Sequence, residues 1–269
     1  MNAKLGIFRS LQVLGGYRQR MLEGVIHDVR QQYTGSVFGV FWAILFPLLQ
    51  LGIYAGLYTV IFKVRPSGLT EFTYTLLVFS GMVPLLAFGQ ALVAATGSLT
   101  GNKSLLLNTV FPAELIPVRA ALSAHVPTLF GLAITLLFGF ALGRTSWQAV
   151  LLVPVFWVLL LMFAIGFGWI LSLLSLVARD IQHSIGLVIM LVTVLSPFAF
   201  TPEMVPESLK IIIYLNPLSY FVLTFQQLIC YGTWPDAIPA LGAAVLGLGS
   251  FLLGFSVFQR AKYVFFDYA

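Results

Sequence analysis

The chain has 269 residues, 59% of them hydrophobic and 9% charged, with 14 Lys and Arg against 9 Asp and Glu and a net charge of +5. A soluble domain covers itself with roughly a quarter charged residues, and the mean hydropathy here is +0.99. The composition therefore excludes a water-soluble globule: lipid must be the solvent, and no nucleic-acid partner is expected. Several apolar runs reach the ~20 residues that span a bilayer core, and only helices satisfy their own backbone in runs of that kind.

No cleavable signal peptide is expected, because the first thirty residues carry five basic side chains and no continuous apolar core. Residues 5–30 instead predict an amphipathic helix. Leu14, Tyr17, Met21, Leu22, Val25 and Val29 recur at spacings of three and four, with Arg9, Gln12, Gln19, Arg20, Glu23, His27 and Arg30 on the other side. Such a helix lies in the headgroup plane, apolar face down. The alternative is an ordinary packed helix of a soluble subdomain.

Six spans are predicted next: 37–62, 74–99 with a kink at Pro84, 117–142, 149–178, a short fifth at 184–200, and 237–258. They form a single transmembrane domain, with a six-helix core at 37–258 and a cytoplasmic tail at 259–269. Between the fifth and sixth, 201–235 holds Pro202, Pro206, Pro217, Glu203, Glu207 and Lys210. The apolar segments 211–215 and 220–231 within it are too short to span and predict interfacial or re-entrant half-helices. With both termini in the cytoplasm, ten basic residues lie inside (Lys4, Arg9, Arg18, Arg20, Arg30, Lys103, Arg119, Arg179, Arg260, Lys262) and four outside (Lys63, Arg65, Arg144, Lys210). The excess of Lys and Arg belongs inside, so that orientation is the expected one.

Chemistry of its own is hard to find in this chain. Gly101-Asn102-Lys103-Ser104 resembles the end of a phosphate loop, but glycine does not precede the lysine and the flanks are helices rather than a strand and a helix. His27, His125 and His183 are scattered without second ligands, so no metal site is expected. Cys230, the sole cysteine, excludes an internal disulfide and reads as a small buried hydrophobe. No nucleophile elbow or paired carboxylates occur, and the spans are nearly free of the ionisable groups that relay protons or ions. Either energy arrives from elsewhere or the chain is a passive channel.

Several stretches together resemble the membrane subunits of ATP-binding-cassette exporters for polysaccharides and polyol phosphates. "DVRQQYTGSVFGVFWAILFPLLQLGIY" (28–54) is similar to the family's approach to its first span, with Tyr33, Gly35, Ser36, Gly39, Trp42 and Pro47 matching. "NKSLLLNTVFPAELIPV" (102–118) resembles its first cytoplasmic loop through Asn102, Phe111, Pro112, Glu114 and Pro117. "ARDI" (178–181), "SPF" (196–198), "NPLSYF" (216–221) and a closing "FFDYA" follow in order, with Phe266 where alanine is usual.

The resemblance implies an all-α permease in a bacterial inner membrane, a homodimer with a channel at the dimer interface. It further implies two separate nucleotide-binding subunits that hold ATP and Mg, with no cofactor in this chain. Segments 101–112 and 179–184 would be their handles, with Asn102, Lys103, Phe111, Pro112, Arg179 and Asp180 in them and Glu114 just beyond the first as coupling residues; the alternative is that both segments are merely solvated connections. The implied cargo is an O-antigen-like polysaccharide on a polyprenyl diphosphate. Arg18, Arg20 and Arg30 suit its anionic headgroup, as they suit membrane lipids. Trp42, Tyr54, Phe88 and Phe198 are candidate sugar-facing aromatics, set against the ordinary roles of Trp and Tyr as interface anchors and of Phe as core filling. Rival readings are a related permease for another cargo (teichoic acid, capsule, a drug or a small lipid), a membrane-embedded lipid-modifying enzyme, and a passive channel.

Overall fold

The computed structural model describes residues 17–57, 61, 68–102 and 112–266. The first part of the predicted interfacial helix (5–16), Lys103, Phe111 and the closing residues 267–269 lie outside the described residues. All regular structure among the described residues is helical. In chain order the α-helices are α1 (Arg18–Gln32), α2 (Trp42–Gly56), α3 (Glu71–Gly101), α4 (Leu115–Ala141), α5 (Trp147–Val177), α6 (Asp180–Val194), α7 (Lys210–Leu215), α8 (Pro217–Gln226) and α9 (Ala237–Phe266). A 3₁₀ turn (Gly39–Phe41) leads into α2, and a π turn (Gln227–Tyr231) ends α8.

Among the described residues, four helices are long and apolar enough to cross a bilayer: α3, α4, α5 and α9. A fifth is obtained if the bent pair Glu207–Leu215 and Pro217–Tyr231 counts as one span. The predicted fifth span ends earlier than expected. Helix α6 has 15 residues, about 22 Å at 1.5 Å per residue, against a hydrocarbon core of ~30 Å, whereas after α2 the described residues Leu57 and Ile61 are still helical. Past Val194 the backbone turns and bends through 195–200 instead of continuing the helix. The half-helices expected in 201–235 are present as α7 and α8, and their axes meet at 97°.

Helix α3 is the centre of the bundle. In its most apolar stretch 78% of the residues are buried, against 22% for α9, so α3 is enclosed by protein while α9 lies at the periphery. Thr70 caps its start, accepting the Thr73 N–H at 3.3 Å, and the helix runs on through Pro84. Helices α4 and α5 flank α3, and α9 lies along α5. That last pair meets backbone to backbone: a side chain on Gly166 would fall on the Ser250 carbonyl, and one on Gly254 on the Gly166 carbonyl. Small residues at such crossings let membrane helices approach closely.

Helix α1 packs on α4. Met21 is buried there, while Leu22 and Ile26 remain exposed. The helix thus has one apolar edge against the bundle and another turned outward.

Candidate functional site

Among the described residues, two regions bear on the candidate site. The larger is an open groove of about 1030 Å³ between α1, α2, α3, α4 and α6. Small residues make the space: Gly89 on α3, Ala120 and Ala124 on α4, and Gly186 on α6 all line it. Most of the wall is apolar. Polar groups come from Gln32, Tyr33, Ser36, Gln50, Gln90, Ser123 and Thr193.

Asp28 is the one charged group among the described lining residues, and its charge is answered. Arg119 Nε donates to Asp28 Oδ2 at 2.7 Å and Arg119 Nη2 donates to Oδ1, a two-pronged contact. Ser123 Oγ donates to the same carboxylate at 3.2 Å. Gly24 leaves the room for this, because a Cβ there would press on the Arg119 side chain at 2.8 Å. This contact fastens α1 to α4 across 91 residues of sequence. Arg119 appeared in the sequence only as one of ten basic residues; nothing local marks its partner.

The four candidate aromatics separate. Trp42 is half-buried and lines the groove. Phe88 is buried and stacks on Phe163 at 4.9 Å, beside a smaller apolar cavity of about 360 Å³. Phe198 is buried edge-on against Tyr54 at 6.2 Å, and neither lines the groove. Arg18, Arg20 and Arg30 are all exposed on α1, with the Arg20 guanidinium 5.6 Å from the Tyr17 ring centre.

The second region is the end of the bundle where α3 stops and α6 begins. Gln182 Nε2 donates to Thr100 Oγ1 at 2.7 Å, so the start of the 101–112 segment lies beside 179–184. Asn102 is exposed, with its amide turned back to the Ser98 carbonyl at 2.8 Å. Arg179 and Asp180 are exposed, and Asp180 stands in the first turn of α6, where the helix dipole favours a negative charge. Pro112 is half-buried. Glu114 is turned inward instead. Its Oε1 accepts from Gln259 Nε2 at 3.0 Å, its Oε2 from Lys262 Nζ at 3.3 Å, and its carbonyl from Trp169 Nε1 at 2.8 Å. The coupling candidates thus comprise an exposed set (Asn102, Arg179, Asp180) and an internal clamp at Glu114.

No group of three or more potential metal ligands occurs among the described residues. His27 and His183 are exposed, and His125 is buried against the Trp157 ring at 5.5 Å.

Comparison with known proteins accords with this architecture. The sequence profile described as ABC-2 type transporter matches residues 26–229. The chain is similar to an O-antigen export system permease protein RfbA from Klebsiella pneumoniae, 28% identical over 239 residues that cover 88% of this chain and 90% of that one. It is also similar to the protein of the same name from Myxococcus xanthus, 23% identical over 258 residues that cover 95% and 97% of the two chains.

Proposed function

This chain belongs to the ABC-2 type transporter family, which makes it a transport subunit rather than an enzyme, and we propose that it exports a polysaccharide carried on a polyprenyl diphosphate. The groove carries this reading. It is a long, neutralised, mostly apolar trough with scattered amides, hydroxyls and one tryptophan, open on one side. Two copies facing each other would close two such troughs into a channel. A separate ATPase, one per copy, would bear on the exposed residues Asn102, Arg179 and Asp180. The exposed Arg18, Arg20 and Arg30 of α1 would receive the diphosphate near the groove mouth, where Asp28 is already held by Arg119. The names of the relatives support the cargo, and the weak ionisable content of the spans supports an external energy source.

In a host lacking its own permease, this chain together with its ATPase is expected to restore surface polysaccharide, seen as a ladder on immunoblots. Ala94→Trp, which fills the groove, and Trp42→Ala should each slow export about tenfold, the effect of ~1.4 kcal/mol on a barrier. ATPase co-purification should survive both changes. Phe88→Ala should act through the fold, losing about 3 kcal/mol of packing and lowering the thermal midpoint. Normal export by Ala94→Trp would show that the cargo takes another route.

Placement in the inner membrane with both termini cytoplasmic has its own test. In a Cys230→Ala background, Ser208→Cys is expected to react with an impermeant maleimide on intact cells, and His183→Cys only in inverted vesicles. Both positions are exposed, so a reversed pattern means a reversed chain.

A further inference from the structure

Gln50 and Gln90 stand out within the groove because their amides are far from either water-facing end of the bundle. Gln90 lies about 16 Å along α3 from its Gly101 end, at 1.5 Å per residue. Gln50 sits in the middle of α2. Both line the groove and also a smaller void beside it, so glutamines from two different helices border the same space. The Gln50 side-chain oxygen is buried and has no hydrogen-bond partner. An amide in an apolar wall without a partner is costly, and leucine would fill either position without that cost.

We propose that Gln50 and Gln90 form a hydroxyl-binding step inside the groove that contacts the sugar rings of the passing chain, a proposal that rests on the polysaccharide reading above. The chemistry fits neutral polyols better than ions. A carboxamide presents an acceptor oxygen and two N–H donors, and a sugar hydroxyl both donates and accepts. The carboxylate of Asp28 is occupied by Arg119, so at this depth no charge favours an anionic or cationic cargo. Two neutral amides hold a hydroxyl weakly enough to release it, which suits a chain that must keep moving. They also discriminate: an apolar chain in the same place leaves the amides unpaired, and sites built to hydrogen-bond a hydroxyl reject partners that lack one.

The test uses the whole transporter, with its ATPase, in the host that makes its polysaccharide. The pair Gln50→Leu/Gln90→Leu is expected to slow export about tenfold while co-purifying with the ATPase as before. Its thermal midpoint should equal or exceed that of the unaltered protein, since the orphaned oxygen is gone. Gln90→p-benzoylphenylalanine should yield, on irradiation, an adduct that stains for glycan. Leu137→p-benzoylphenylalanine, on an exposed side of α4 away from the groove, should not. Export by the leucine pair at the unaltered rate, or a loss accompanied by a lower midpoint, would make the amides structural and overturn the proposal. Crosslinking of two copies through position 90 without glycan would overturn it too, because a second copy would then close the groove at this depth. If the unaltered chain restores no polysaccharide although it assembles with the ATPase, the polysaccharide reading itself fails, and this proposal falls with it.

Discussion

Gly166→Leu is expected to remove nearly all folded protein from the membrane, whereas Gly249→Leu, on the same α5–α9 pair, should be tolerated. No atom lies within 4 Å of a Cβ built on Gly249. At Gly166 the new carbon meets the backbone of Ser250 and Phe251, and Gly247 is equally confined, its Cβ lying 2.6 Å from the Leu159 carbonyl oxygen. In lipid the two helices are held by close packing rather than by a hydrophobic drive, so forcing the axes apart forfeits the contact that joins them. Trp169, packed 4.9 Å from Phe251 and 5.3 Å from Phe255, loses its neighbours at the same time. Overpacking ordinarily costs 1–3 kcal/mol when side chains can move aside; backbone cannot, and about 3 kcal/mol or more is expected. Detergent-solubilised yield and thermal midpoint are the measurements. Equal behaviour of the two leucine variants would mean that α5 and α9 do not touch as described.

Glu114→Ala should lower the midpoint nearly as severely, while Arg179→Glu should leave it unchanged. The Glu114 and Lys262 side chains are only 14% and 16% exposed, and the carboxylate also holds Gln259. Removing one partner of a buried, hydrogen-bonded charge pair costs on the order of 3 kcal/mol. Arg179 is exposed at the start of α6, so its reversal is expected to weaken ATPase co-purification without touching the fold. The two variants therefore separate an internal brace from an external contact. Retained stability with lost ATPase binding in Glu114→Ala would place Glu114 outside, as its position in the loop motif implies.

The long helices were legible because hydropathy marks length, and α7 and α8 because prolines and short apolar runs mark breaks. Which face of each helix meets which neighbour was not. Helices α3 and α5 are apolar all round, and a helix apolar on every side gives periodicity nothing to contrast. Phe88 and Trp42 consequently look alike in sequence, yet one is stacked in the core and the other lines the groove. Glutamines 50 and 90 lie on different helices, and only tertiary packing puts them on one cavity. The Asp28–Arg119 and Glu114–Lys262 contacts span 91 and 148 residues, beyond any local pattern. The end of α6 was placed too late because apolar composition continues past Val194, where the backbone leaves the helix.

The right-angled junction at Asn216 has a mechanical consequence. Its amide nitrogen donates to the Val192 carbonyl at 3.0 Å and to Ser196 Oγ at 2.9 Å, while its oxygen accepts the Leu218 N–H at 3.0 Å. Every arm of the side chain is engaged, and the Tyr220 hydroxyl adds a strut to the Tyr214 carbonyl at 2.9 Å. The corner is thereby bolted to the far end of α6 and cannot flex independently of it. Where α6 crosses α3, Gly89 has no side chain to hold Ile189 away, and under load that contact would act as a fulcrum. A load applied at Arg179 and Asp180 would then reach the corner as the tilt of a seesaw, with the two ends of α6 moving in opposite senses.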